Sequence, residues 1–205
     1  VAIKEVNPLA LAWLLDAYKP RVIFLLRHPA AVARSYWSLN WRNAEDKLEE
    51  LLNSRLLQSS LCPWHETIRS AVGFWQAHGV FQGAVLHTAL EALKGYSDAT
   101  VVNYEALCED PEYAFGALFE FAGLTFDDAV RDFIGASSVT STNTEAGQYG
   151  TQRNTYQMAY AWKAALNQTE LESLHSGYAA FGLPHYQRNE DWTLRTSIAP
   201  ASSVL

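Results

Sequence analysis

Glycine is scarce and comes late in this chain: 11 in 205 residues, the first at Gly73. The amino-terminal third therefore has no glycine-rich loop that could cradle a phosphate with backbone N–H groups. Cysteine occurs only at Cys62 and Cys108, without metal-ligand spacing or a small disulfide framework. A reducing cytoplasm is the expected compartment, and both thiols read as small buried hydrophobes. No apolar run reaches the length of a membrane span, and no signal sequence is visible. Basic residues are the minority, 15 Lys and Arg against 22 Asp and Glu, and the net charge of −7 argues against non-specific nucleic-acid binding. The six histidines form no metal pattern. His65-Glu66 opens a zinc-protease-like motif, but Arg69 stands where its second histidine belongs. No metal is expected.

What is present suffices for one substantial core, with 49% hydrophobic residues in 22.9 kDa. Charge is unevenly spread. Residues 1–42 hold six Lys or Arg and two acidic residues, a balance of +4 in a chain of −7. A polyanion would be drawn to that basic part.

Within it lies Val22-Ile-Phe-Leu-Leu-Arg-His-Pro-Ala-Ala-Val-Ala-Arg-Ser-Tyr36. The run Val22 to Leu26 has the length and character of a strand covered on both faces of a parallel sheet. Arg27 stands at its carboxyl end, Pro29 suits the first position of a helix, and Ser35 follows about two turns in. A permanently charged guanidinium, a hydroxyl eight residues later and a helix amino end can converge on one phosphate. In isolation, the same pair also fits an arginine capping a sheet edge and a solvated helix serine.

This segment resembles the 3′-phosphate-binding segment of sulfotransferases that use 3′-phosphoadenosine 5′-phosphosulfate (PAPS), matching at Arg27, Pro29, Val32, Ser35 and Tyr36. A second stretch, Thr100-Val-Val-Asn-Tyr-Glu-Ala-Leu-Cys-Glu-Asp-Pro-Glu112, is similar to the family's strand ending in Y-E-x-L before an acidic-Pro helix start. Its residues agree with that reading. Val101 and Val102 suit a strand, and Asp110 caps a helix whose first turn holds Pro111 and Glu112. Phe115, Leu118, Phe119 and Ala122 share a face of that helix, and Gly123-Leu124 stops it. The resemblance implies that Tyr104 contacts the adenine or ribose side of the nucleotide. It also implies a late basic clamp, for which Arg153 is the candidate and Lys163 a helper, although the family's Lys-Gly after the Arg is absent and Trp162 follows nine residues later rather than about seven.

The family's 5′-phosphosulfate loop has no counterpart here, and the chain begins at Val1 inside what reads as a strand. The expectation is the carboxyl-terminal portion of a longer protein, inactive as it stands. Val1-Ala-Ile-Lys-Glu-Val-Asn-Pro8 resembles the family segment that carries catalytic groups. Sulfuryl transfer needs a base for the acceptor's proton and a cation for the charge growing on the sulfuryl and leaving groups. By resemblance Lys4 is the cation and Glu5 the base, since Val6 occupies the place of the usual histidine. A salt-bridging residue in a turn is the plain alternative for Glu5.

The expected fold is α/β: a P-loop NTPase-like three-layer domain with a parallel sheet, of sulfotransferase type and helix-rich. It covers residues 1–186, with an extended or disordered tail over 187–205. Strands are expected at 1–4, 21–27 and 100–104, with Pro8 to Tyr18 as the crossover helix between the first two. Helices are expected at 43–58 and 63–94, where Trp64, Ile68, Val72 (or Ala71), Trp75 and His78 recur at helical spacing. Residues 135–152 read as one long loop, a lid or a plain surface loop. Thr169-Glu-Leu-Glu172 reads as a capping box, and Gly182 as the stop of that helix. Trp37, Trp41 and Trp64 line the acceptor pocket by analogy, for a small-molecule, carbohydrate or lipid acceptor. Two alternatives stay open: a P-loop nucleoside or nucleotide kinase, which needs Mg²⁺ ligands and a Walker loop upstream, and a catalytically inactive nucleotide-binding relic.

Overall fold

The computed structural model describes residues 2–138 and 155–194. In chain order the elements are α1 (Leu11–Tyr18), β1 (Val22–Leu26), α2 (Pro29–Ser38), α3 (Ala44–Asn53), α4 (Gln58–Leu61), α5 (His65–Ser70), α6 (Gly73–Leu93), β2 (Ala99–Asn103), α7 (Tyr104–Glu109), α8 (Pro111–Ala122), α9 (Asp128–Ser138), α10 (Thr155–Tyr160), α11 (Trp162–Ala165) and α12 (Gln168–Ala179). Short 3₁₀ turns occupy Pro8–Ala10, Cys62–Trp64 and Asn189–Trp192. The chain divides into two compact units, Val1–Val32 with Val85–Tyr160, and Ala33–Ala84 with Ala161–Leu205. Among the described residues, no helix is long and apolar enough to cross a membrane.

The first unit is built on β1 and β2, which pair in parallel from Val22↔Ala99 to Leu26↔Asn103. Leu11 and Leu15 of α1 and Ala89 of α6 form a buried cluster onto which Val22, Phe24 and Tyr96 pack. The Tyr96 hydroxyl donates to the Pro20 carbonyl at 2.7 Å, and Val22 N–H to the Asp98 carbonyl at 2.8 Å, tying the start of the sheet to its flanking turns. The alternate residues Ile23, Leu25 and Val101 are 43%, 52% and 37% exposed. Thus the apolar run does form a parallel strand, but only one face of it is covered among the described residues.

The strand expected at 1–4 does not form. Residues 2–7 have no regular structure. The Glu5 carboxylate accepts from both Val6 and Asn7 N–H at 2.8 Å, and Asn7 Oδ1 accepts from Leu9 N–H at 3.2 Å. Side chains that capture nearby backbone donors compete with a strand ladder, and here they start the 3₁₀ turn instead. Without that strand, the segment from Pro8 to Tyr18 joins no pair of strands. The α/β assignment therefore holds in its coarse form, as a helix-rich chain with a small two-stranded parallel sheet.

Helix α8 follows expectation closely. Asp110 Oδ1 accepts from Tyr113 N–H at 3.1 Å, and the N–H groups of Gly123 and Leu124 return to Glu120 and Phe119 carbonyls. Helix α9 runs on to Ser138, so the first four residues of the expected loop are helical. The rest of that loop lies outside the described residues.

In the second unit, α6 and α12 pass at backbone contact. A Cβ on Gly79 would lie 2.1 Å from the Leu174 carbonyl oxygen, and one on Gly177 2.4 Å from that of Gln76. Only glycine at both places admits this crossing. The helix expected over 63–94 breaks at Ala71 and Val72, between α5 and α6. The capping box stands two residues earlier than expected: Asn167 and Glu170 exchange side-chain and backbone bonds at 2.9 Å, which leaves Thr169 inside α12. The expected extended tail also has local structure. Trp192 is buried, its ring 4.4 Å from that of His175, and its Nε1–H donates to the Tyr186 carbonyl at 2.8 Å.

Candidate functional site

The sheet ladder stops at Leu26↔Asn103, and the next residue on each strand is Arg27 and Tyr104. Their side chains meet: the Arg27 guanidinium carbon lies 4.9 Å from the centre of the Tyr104 ring. Such an arrangement contributes about 0.5–2 kcal/mol and fixes the plane of the guanidinium. Arg27 Nη2–H donates to the Met158 carbonyl at a long 3.4 Å. Its Nε is buried and has no hydrogen-bond partner among the described residues. A buried donor left unmade costs about 1–3 kcal/mol, so an acceptor brought there recovers that amount. Burial pushes the Tyr104 phenol up, assisted by a hydrogen bond to Cys108 and opposed by the Arg27 charge, so it stays protonated at neutral pH.

The helix amino end behaves differently from expectation. His28 caps α2, its Nδ1 accepting from Ala30 N–H at 3.1 Å and its carbonyl from Ala31 and Val32 N–H at 2.9 and 3.2 Å. His28 N–H itself donates to Glu105 Oε1 at 2.9 Å. Pro29 has no N–H to offer. The amides that were to help hold a phosphate are already bonded within the protein, so any anion beside Arg27 is held by side chains.

The other expected residues are scattered. Ser35 lies two turns into α2, half-buried, past the point where the chain enters the second unit. Lys4 and Glu5 are exposed in the first unit, and neither bonds to Arg27 or Tyr104 among the described residues; the Glu5 carboxylate holds its own turn. Arg153 lies outside the described residues. Lys163 sits in the second unit with Nζ 5.4 Å from the Trp162 ring. Trp64 is committed to packing, stacked 5.2 Å from Phe181 with its Nε1–H on the Ala180 carbonyl. Trp37 and Trp41 are exposed. Trp37 stacks on Trp75 at 5.3 Å and takes the Arg42 guanidinium on its ring at 3.8 Å, while Trp41 meets Tyr36 edge-on at 5.3 Å. No group of three or more His, Cys, Asp and Glu that could hold a metal occurs among the described residues.

Sequence reasoning assigned no role to His28 or Glu105. Their signal was adjacency alone, each following directly on a residue already singled out. Comparisons with protein-family models, with curated proteins and with solved structures give no match.

Proposed function

We propose that this chain is part of a PAPS-dependent sulfotransferase and that Arg27 grips the 3′-phosphate of the nucleotide. The observation that carries this reading is the buried Nε of Arg27, unpartnered among the described residues, on a side chain that lies against the Tyr104 ring at the end of a parallel strand. Strand ends in α/β sheets are where ligands bind, and a guanidinium with donors to spare suits a phosphate. The resemblance of the two strand-end motifs adds Ser35 and Arg153 as further phosphate contacts. It also supplies the P-loop NTPase-like fold as the finer architecture. In the reaction, a hydroxyl or amine of the acceptor forms a bond to sulfur while the bond from sulfur to the bridging phosphate oxygen breaks. The acceptor proton passes to a base, and 3′-phosphoadenosine 5′-phosphate leaves. Lys4 is the candidate for charge balance and Glu5 for the base, and no metal takes part. The acceptor is a small molecule, carbohydrate or lipid.

One observation favours a second reading, a nucleotide-binding relic without chemistry. The Glu5 Oε1 that would take the acceptor's proton accepts instead from two backbone N–H groups of its own turn.

The test is calorimetric binding of 3′-phosphoadenosine 5′-phosphate against 5′-AMP, which differ only in the 3′-phosphate. Preference for the former, reduced roughly 10- to 100-fold in Arg27→Ala, is the expected result, the loss corresponding to one or two charged hydrogen bonds. Equal binding, or none by a folded protein, overturns the sulfotransferase reading. ATP with Mg²⁺ then tests the kinase alternative.

A further inference from the structure

We propose that Glu105 is a positioning residue for the anion grip at Arg27, acting through the backbone of His28. This rests on the reading of Arg27 as an anion-binding residue. β1 and β2 exchange backbone bonds up to Leu26↔Asn103, and immediately beyond that pair β2 turns into α7 at Tyr104. The carbonyls that would continue the ladder leave with the helix. His28 N–H would then be an unmet donor at the exit of β1, where it is buried. Glu105 supplies the acceptor: the residue is 9% exposed, and its Oε1 lies 2.9 Å from His28 N across 77 positions of sequence.

The consequence falls on Arg27. That residue lies between the last ladder pair and the His28 bond, so its backbone is pinned on both sides. Its side chain is then held at two further points, the Tyr104 ring and the Met158 carbonyl. Two adjacent residues of one strand exit, Tyr104 and Glu105, therefore hold two adjacent residues of the other, Arg27 and His28. Removing the carboxylate frees the turn, allows the strand exit and the His28 cap to move, and lets the guanidinium turn away from the direction in which Nε now points. The role requires an acceptor and not a charge, so an amide oxygen in the same place performs it.

The experiment uses the full chain with Glu105→Ala, Glu105→Leu (which fills the space without an acceptor) and Glu105→Gln. Two probes are followed: the calorimetric preference for 3′-phosphoadenosine 5′-phosphate over 5′-AMP, and the shift of the Arg27 Nε–H NMR resonance on titration with inorganic phosphate. Expected is a loss on the order of tenfold in the preference for Ala and Leu, with a weakened phosphate response and 5′-AMP binding little changed, while Gln stays near wild type. A merely structural role would lower thermal stability without moving the ratio of the two nucleotides. A wild type that responds to phosphate at Arg27 but does not prefer the 3′-phosphorylated nucleotide sinks the sulfotransferase reading. The positioning role then still stands if the response is lost in Leu and kept in Gln. It is overturned if a folded Ala or Leu variant matches wild type in both probes, or if Gln fails as they do. A wild-type Arg27 Nε–H that does not move with phosphate overturns it as well.

Discussion

His78 sits 2% exposed on α6, its Nδ1 2.8 Å from Gln82 Nε2 and its ring among those of Tyr36, Phe74 and Phe81 at 4.8, 5.3 and 6.3 Å. Its Nε2 is buried with no hydrogen-bond partner among the described residues. Burial lowers its pKa from 6.5 to about 4, against a smaller upward pull from a backbone hydrogen bond. The folded state therefore binds a proton less readily than the unfolded chain, and stability rises with pH between the two values. It is complete above about 6.5 and declines as the pH falls towards 4, by roughly 3 kcal/mol in all. Burial lowers His175 and His185 in the same direction, so the effect is isolated by comparison with His78→Gln. Urea unfolding at pH 7.5 and at pH 5 should show a smaller loss in the variant; equal losses would assign the slope to other groups. At this scale, Arg27 could be singled out from sequence because it follows an apolar run, and Tyr104 because its stretch resembles the family's strand ending in Y-E-x-L. The His28 to Glu105 bond could not, because a carboxylate accepting from a distant backbone N–H leaves no side-chain pattern at the donor.

Elements were legible where their signals are local. Asp110, Pro111 and Gly123 delimit α8 through bonds within a few residues of each end. The capping box was misplaced because Asn167 and Glu170 share the same spacing as Thr169 and Glu172, and both sets fit the pattern. Strand β1 shows what spacing alone leaves undecided. Its five residues are all apolar, yet Phe24 packs on Leu11, Leu15 and Ala89 while Leu25 is 52% exposed. Phe24→Ala should therefore cost about 2–3 kcal/mol, at or below the usual range for a core aromatic because Phe24 is only partly buried. Leu25→Thr should stay within about 0.5 kcal/mol, as a surface change that keeps β propensity. Denaturant midpoints of the two variants check the pair. Comparable costs would mean that the outer face of the sheet is covered in solution.

Across the whole molecule, charge works against the proposed ligand while its local distribution works for it. A net charge of −7 repels a nucleotide bisphosphate, and the +4 balance of residues 1–42 attracts it. The attraction is screened over a Debye length of about 10 Å at 0.1 M salt and about 3 Å at 1 M. Affinity for 3′-phosphoadenosine 5′-phosphate should accordingly fall severalfold between low and high salt, and more steeply than that for 5′-AMP. Parallel salt dependences would mean that the 3′-phosphate meets no positive field. By itself, the sequence determined what depends on neighbours in the chain: the two strands, the bounds of α8, and the placing of an arginine and a tyrosine at strand ends. It also determined the unequal spread of charge. Local bonding also turned residues 2–7 away from a ladder, since the Glu5 carboxylate took the donors of the two residues after it. Tertiary structure alone decided that the His28 N–H at the amino end of α2 would be met from within, by the Glu105 carboxylate 77 positions on. Backbone donors are alike in sequence, and which acceptor each one finds is settled only when distant segments pack.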